Sequence, residues 1–230
     1  MNKWTIDVII PAFNEENSIG EVLRDIPSDL VREVVVVNNN SNDATPENAR
    51  AGGATVLDEP RQGYGFACLK GIAYLEAKDQ QPDIVVFLDA DYSDYPEEMY
   101  DLVKPITDDE HDMVIGSRAI GQREGGSMTP QQVFGNWLAT FLIRLFYRVR
   151  YTDLGPFRSI RFDRLLEIDM KDQTYGWTVE MQLKAAKLKM KTCEIPVKYR
   201  RRIGKSKVSG TIKGTIGAGY KIITTIFKYL

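Results

Sequence analysis

Residues 84–94 read I-V-V-F-L-D-A-D-Y-S-D. Five apolar side chains in a row suit a strand buried on both faces, as in a parallel sheet covered by helices. The run stops at Asp89, and Asp91 follows two positions on. In an open α/β sheet, ligands gather outside the carboxyl ends of the strands. Two carboxylates at such an end can grip a hard divalent cation, and the cation a diphosphate. D-x-D is short and also suits an ordinary turn after a strand. Its weight therefore rests on the rest of the chain.

The same rhythm extends to both sides. Strands are expected at residues 5–10, 33–37, 54–57, 83–88 and 112–115. Helices are expected between them at 17–25, 43–51, 65–77 and 96–104, with Asn14 or Asn17 capping the first and Pro96 opening the last. This β-α alternation predicts an α/β fold, a mostly parallel sheet with helices on its faces. Beyond it come a loop at 121–129, a long aromatic-rich helix at 131–149, a strand at 157–161 and a helix at 178–188. A strand at 192–199, a basic loop at 200–209 and an amphipathic helix at 211–230 complete the chain.

The 230 residues, 43% hydrophobic and 27% charged, suit one globular domain, here 1–210, with a helical appendage at 211–230. Cys68 and Cys193 lie far apart, which offers neither a zinc spacing nor a disulfide framework. A reducing, cytoplasmic setting is the default, and the N-terminus lacks the apolar core of a signal peptide. The net charge of −2 hides a split: from Lys184 onward there are thirteen Lys/Arg and one acid, Glu194. A basic tail on an acidic body points to a polyanionic partner. Nucleic acid is disfavoured, because no helix-turn-helix, zinc-finger or RNA-binding signature is present.

Each of the first five expected strands ends in a polar or glycine-rich signature. They are Pro11-Ala12-Phe13-Asn14-Glu15, then Asn38-Asn39-Asn40, then Arg61-Gln62-Gly63-Tyr64-Gly65, then Asp89-Ala90-Asp91, then Gly116-Ser117-Arg118. All would open on one sheet edge. This ordered series resembles glycosyltransferase family 2 and its Rossmann-like GT-A α/β/α sandwich. The nearer likeness is to the dolichol- and polyprenyl-phosphate sugar transferases. Thr152-Asp153-Leu154-Gly155-Pro156-Phe157-Arg158 is similar to their D-x-x-S-G-F-R segment, and Gly204-Lys205-Ser206-Lys207 to their G-x-S-K segment.

The resemblance implies roles residue by residue. Pro11, Phe13, Glu15, Asn38, Asn39, Arg61, Gly63, Asp89 and Ala90 would border the donor nucleotide. Asn38 and Asn39 replace the family's usual acids there, keeping hydrogen-bonding capacity but losing charge. Gly63 and Gly65 would let the backbone approach the ligand. Asp89 and Asp91 would hold Mg²⁺ or Mn²⁺ against the diphosphate. Arg118, Arg158, Arg202, Lys205 and Lys207 would meet acceptor or donor phosphate. Glu180 and Asp153 are the candidates for a base or a sugar contact, Asp43 suits a helix cap, and the lone His111 is read as structural.

Two apolar stripes remain. Phe134, Trp137, Phe141 and Leu145 recur at helical spacing in one helix, and Ile223, Phe227 and Leu230 in the last. Neither helix has the uninterrupted apolar run of a membrane span, yet both suit an interfacial position as well as a core. The expectation is a metal-dependent inverting transferase on the cytoplasmic face of a membrane. It would move a hexose from UDP-glucose or GDP-mannose to a polyprenyl phosphate. A glycan or small-molecule hydroxyl acceptor and a non-catalytic nucleotide-sugar binder are the alternatives. The 128–135 stretch, M-T-P-Q-Q-V-F-G, departs from relatives that hold lipid phosphate there with basic and hydroxyl residues.

Overall fold

A computed structural model describes residues 4–204 and 212–230. Lys205 and Lys207, with the rest of 205–211, lie outside the described residues. Seven strands form one sheet: β1 (Ile6–Ala12), β2 (Glu33–Asn38), β3 (Thr55–Asp58), β4 (Ile84–Phe87), β5 (Met113–Ser117), β6 (Arg158–Arg161) and β7 (Thr192–Pro196). Their order is β3-β2-β1-β4-β6-β5-β7. Only β6 runs antiparallel to its neighbours, β4 and β5. The mostly parallel α/β expectation therefore holds.

The helices are α1 (Ile19–Asp25), α2 (Thr45–Ala51), α3 (Tyr64–Glu76), α4 (Met99–Thr107), α5 (Pro130–Tyr147), α6 (Phe162–Ile168), α7 (Trp177–Lys187) and α8 (Ile212–Lys228). Strand periodicity sorts them into layers, because successive side chains of a strand point to opposite faces. Val8, Ile10, Ile84 and Val86 pack with Ile19, Ala49 and Leu102 of α1, α2 and α4. Ile9, Val85 and Phe87 pack on the other face with Leu75, Ile143, Leu165, Leu183 and Ile226 of α3, α5, α6, α7 and α8. The middle strands β1, β4 and β5 are buried throughout, including Asp7 of β1, whose carboxylate is paired with Arg32 at 2.5 Å.

Three local expectations are corrected. The helix α6 was not anticipated, because Arg158-Ser159-Ile160-Arg161 passes directly into it without a turn. The α1 cap position is Ser18, not Asn14 or Asn17. Pro96 opens a short 3₁₀ turn, 96–98, that leads into α4. The described part of α8 lies against α5 and α7: Tyr147 Oη donates to the Ile226 carbonyl at 2.8 Å, and Ile226 is fully buried. No described helix is long and apolar enough to cross a membrane.

Candidate active site

The carboxyl ends of β1 to β5 open on one edge, and β6 enters the sheet from that same edge because it runs backwards. The loop before β6 is thereby brought beside Arg118 at the end of β5. Arg118 and Asp153 form a buried pair, with Nε–Oδ2 at 2.8 Å and Nη2–Oδ1 at 2.7 Å. The Arg118 backbone N–H also donates to Asp153 Oδ2 at 2.7 Å. Burial opposes ionisation of Asp153, but the Arg118 charge and these hydrogen bonds hold it below the usual carboxylate range. Such a carboxylate is a weak proton acceptor.

Asp89 and Asp91 lie at the end of β4. Asp89 Oδ1 accepts from Tyr64 Oη at 3.0 Å, at the start of α3. Burial and then the Asp91 charge push the Asp89 carboxyl up to about 7. Asp91 is buried; its Oδ1 accepts from the Ser93 amide at 2.9 Å, and its Oδ2 meets Arg202 Nη2 at 2.9 Å. Arg202 also reaches Glu15 Oε1 at 3.0 Å. Burial opposes the Arg202 charge, and Asp91 followed by Glu15 more than restores it. Asp94, three residues on, is buried, and neither of its carboxylate oxygens has a hydrogen-bond partner among the described residues. Burial, then Asp89 and Asp91, hold its carboxyl well above the usual range.

The chain around these acids is tightly braced. Asn14, Asn40 and Tyr92 follow β1, β2 and β4 with φ of 53°, 65° and 62°. For a residue as bulky as Tyr92 the left-handed region is unusual, and such strain concentrates at functional edges. The 199–203 segment lies along 91–94: Arg200 N donates to Ser93 O at 2.9 Å and Ile203 N to Asp91 O at 3.0 Å. Arg200 stacks over Tyr92 and Tyr95 at 3.4 and 4.1 Å from the ring centroids.

On the donor side, Pro11 is buried within β1, with Phe13 and Glu15 beyond it, and Ala90 is buried between the two acids. Of the two asparagines expected at the base, Asn39 is corrected, whereas Asn38 commits only one of its two amide hydrogens among the described residues. Asn38 Nδ2 donates to Asp58 Oδ1 at 2.8 Å, and its Oδ1 accepts from Ser41 N at 3.1 Å. Asn39 Nδ2 serves the Glu59 and Arg61 carbonyls at 3.2 and 2.7 Å, and its Oδ1 accepts from Gly63 N at 2.8 Å. Asn39 has no donor left for a nucleobase; it braces the 59–63 loop. Arg61 faces solvent and is paired with Glu59 at 2.7 Å, whose carboxyl it holds at about 2. Asp43 is corrected as the α2 cap: Ala44 holds that position, and Asp43, one residue earlier, accepts from Thr45 N at 3.0 Å.

Arg158 is corrected as a phosphate ligand. It is fully buried, and its guanidinium donates to the carbonyls of Leu154, Gly155 and Thr178. Burial lowers it to about 10. Glu180, expected as a base or a sugar contact, is fully buried and accepts the Lys171 and Asp172 amides and the Tyr229 hydroxyl. Sequence reasoning missed Tyr64, Ser93 and Asp94. Tyr64 sits between two cited glycines, and Asp94 closes the run D-A-D-Y-S-D, so both signals were present in the quoted stretches.

Beside the Arg118–Asp153 pair lies a cleft of about 270 Å³ lined by Arg123, Met128, Asn136, Trp137, Thr140 and Thr152 among others. Its outer wall continues into exposed Phe134, Trp137, Phe141 and Leu145 on α5, and Phe146 packs edge-on against exposed Phe227 of α8 at 5.4 Å.

Residues 7–168 match the family model described as glycosyl transferase family 2. A dolichyl-phosphate hexose transferase of Haloferax volcanii is 34% identical over 218 residues, covering 90% of each chain. An undecaprenyl-phosphate mannosyltransferase of Micrococcus luteus is 31% identical over 223 residues, covering 90% of this chain and 88% of its own. Among solved structures, glucosyl-3-phosphoglycerate synthase of Mycobacterium tuberculosis, in complex with Mn²⁺, UDP and phosphoglyceric acid, superposes with a TM-score of 0.77 at 21% identity. That superposition covers 99% of this chain and 78% of the other.

Proposed function

The chain belongs to glycosyl transferase family 2 and is a glycosyltransferase, and on that premise we propose that it moves a hexose from a nucleotide sugar to a polyprenyl phosphate, with a divalent cation bound by Asp89 and Asp91. The observation that carries this reading is the charge at the sheet edge. Asp89, Asp91 and Asp94 are crowded within six residues at the end of β4. Burial and mutual repulsion hold the carboxyls of Asp89 and Asp94 above the usual range. A divalent cation placed against Asp89 and Asp91 would relieve that repulsion.

The donor set fits a hard cation. Among the described residues no three His, Cys, Asp or Glu side chains form a complete cage. Mg²⁺ is commonly held by one or two carboxylates together with substrate phosphates and water. When bound, the cation would neutralise charge on the departing nucleoside diphosphate. Ser93 fixes the Asp91 carboxylate and Tyr64 that of Asp89. Arg202 lies against Asp91 and Glu15, within reach of a diphosphate placed there. UDP-glucose and GDP-mannose remain the leading donors.

The lipid-phosphate acceptor is supported by the names of the two polyprenyl-type relatives and by the cleft beside Arg118. That cleft joins a cation, Arg123, to the exposed aromatic face of α5. A phosphate head and an apolar tail match this order. A phosphate acceptor is already ionised, so the transfer needs no general base, in keeping with the locked Asp153. The α5–α8 face, with exposed Trp137, Phe141, Leu145 and Phe227, supports peripheral docking on the cytoplasmic face of a membrane.

Purified protein is given UDP-glucose or GDP-mannose with a polyprenyl phosphate, with phosphoglycerate, or with no acceptor, in Mn²⁺ or EDTA. Nucleoside diphosphate release that requires both cation and lipid phosphate is expected, and Asp91→Ala abolishes it. Release that persists in EDTA or in Asp91→Ala rejects the metal role. Transfer to phosphoglycerate alone replaces the lipid acceptor by a soluble one.

A further inference from the structure

Glu180 and the C-terminal helix are joined to the Asp89 edge by a continuous set of contacts. The buried Glu180 carboxylate accepts the Lys171 amide at 3.0 Å and the Asp172 amide at 2.5 Å. It also accepts Tyr229 Oη at 2.6 Å and pairs with Lys184 at 2.7 Å. From α8, Lys221 Nζ meets Asp172 Oδ2 at 2.9 Å. Asp172 Oδ1 in turn accepts the amides of Thr174 and Gly176 at 2.8 and 3.0 Å. A Cβ at Gly176 would lie 2.7 Å from Thr225 Oγ1, so the Gly176 backbone lies close against that side chain. Lys221, Thr225 and Tyr229 are spaced by four residues, which puts them on one side of a helix.

The 171–173 backbone then meets the turn that opens α3. Phe66 N donates to Gln173 O at 3.1 Å. A Cβ on Gly65 would overlap the Asp172 carbonyl, and one on Gly63, at φ 154°, the Gln173 carbonyl. Neither contact has slack, because backbone meets backbone on both sides. The turn held in this way carries Tyr64, whose hydroxyl donates to Asp89, and its Gly63 amide donates to Asn39.

We propose that Glu180 and Asp172 are positioning residues through which the 221–229 segment sets the Gly63–Tyr64–Gly65 turn, so that nucleotide binding depends on the contacts of Lys221 and Tyr229. This rests on the reading of that turn as part of the donor site. The carboxylate organises two amides that would otherwise leave the 171–173 loop, and the loop is the bed of the turn. Loss of the Tyr229 hydroxyl removes a charge-assisted hydrogen bond from a fully buried acid.

The test uses the full chain with Tyr229→Phe, Lys221→Ala and Glu180→Gln. UDP and GDP are titrated in Mn²⁺ by calorimetry, and hydrogen exchange is followed at the Phe66 amide. Tyr229→Phe should weaken the nucleotide that binds the wild type by about 3- to 10-fold, as expected when a buried hydrogen bond is lost. Phe66 exchange should speed up, and donor KM should rise more than kcat falls. A merely stabilising contact would lower the melting temperature without that KM-against-kcat split. Unchanged nucleotide affinity and unchanged Phe66 exchange in both Tyr229→Phe and Lys221→Ala overturn the proposal. So does a Glu180→Gln enzyme that loses kcat and an acidic-limb pKa while Tyr229→Phe is silent, because Glu180 would then be a base. A wild type that binds neither UDP nor GDP overturns the donor-site reading instead. Phe66 exchange still decides in that case whether the 221–229 segment controls the turn.

Discussion

Removing the Asp153 carboxylate isolates the energetics of the β5–β6 edge. In Asp153→Ala, the Arg118 guanidinium keeps its charge but loses both partners, and its backbone N–H loses a third acceptor. The side chains of the pair are only 11% and 1% exposed, so water cannot replace the carboxylate without opening the edge. Breaking one side of a buried ion pair costs about 3–5 kcal/mol, mostly through the charge left behind. At about 2–4 °C per kcal/mol for a chain of this size, the melting temperature should fall by about 6–20 °C. Arg118→Met combined with Asp153→Ala leaves no orphaned charge, so the double variant should lose less than the two single losses together. Urea unfolding at pH 7.5 measures all three. The pH dependence has a fixed sign. The folded-state carboxyl lies below its unfolded value of about 3.9, so its contribution is complete above about pH 4. It is lost as pH falls through the lowered folded value, and the wild-type advantage should shrink only in acid. An Asp153→Ala loss below about 1 kcal/mol, or additive losses in the double variant, would falsify the account, because even partial burial predicts more.

Asp89 has the opposite sign. Its folded carboxyl stands near 7, above the unfolded value, so without metal its contribution is complete below about pH 4 and lost as pH rises through 7. Asp89→Asn should therefore melt higher than the wild type at pH 8 in EDTA, with the gap closing in acid; a constant gap across that range contradicts this. Gly65→Ala would drive its methyl group into the Asp172 carbonyl, and nucleotide affinity measured by calorimetry should fall by about ten-fold or more, about 1.4 kcal/mol. Wild-type affinity would show that the turn relaxes freely. Phe134→Glu with Trp137→Glu replaces exposed rings at 60% and 57%, so stability should change by no more than about 1 kcal/mol for the two. Flotation with vesicles containing anionic lipid should lose the protein, and undiminished flotation would remove α5 from the docking face.

The fold was legible because the middle of the sheet is buried on both faces. Val34 to Val37 and Ile84 to Leu88 have no polar interruption, and each stops where a loop signature begins. The acids at the end of β4 were legible for the same reason. Hidden from the sequence was the pairing. Nothing local in Thr152 to Arg158 shows that Asp153 closes on Arg118, 35 residues earlier, because the approach depends on β6 running backwards. Nor does anything local in Trp177 to Glu180 show that Glu180 is fully buried. Its burial comes from the 171–172 amides and Tyr229, contacts that helical periodicity does not encode. Asn39 was misjudged through composition alone: an amide can serve a base, but here both of its hydrogens go to the Glu59 and Arg61 carbonyls.

The reversed strand has a second consequence for the acidic edge. Its first residue is Arg158, placed within the sheet and not on its surface. The guanidinium is satisfied by three carbonyls and lies within electrostatic reach of Tyr64 and Asp153. Lowered only to about 10, it stays charged at neutral pH. A fixed cation below the edge favours ionised acids above it, without occupying the space a ligand needs. Arg202 differs because it comes from the 199–203 segment and contacts Asp91 directly from the solvent side. Besides Arg118, the site thus has one permanent counter-charge inside the sheet and one, Arg202, that touches Asp91 at the edge. Removing the first should disturb folding before chemistry, whereas removing the second should disturb ligand binding before folding. Arg158→Met and Arg202→Met, compared by urea unfolding and by nucleotide titration, separate the two, and equal behaviour in both assays would contradict the distinction.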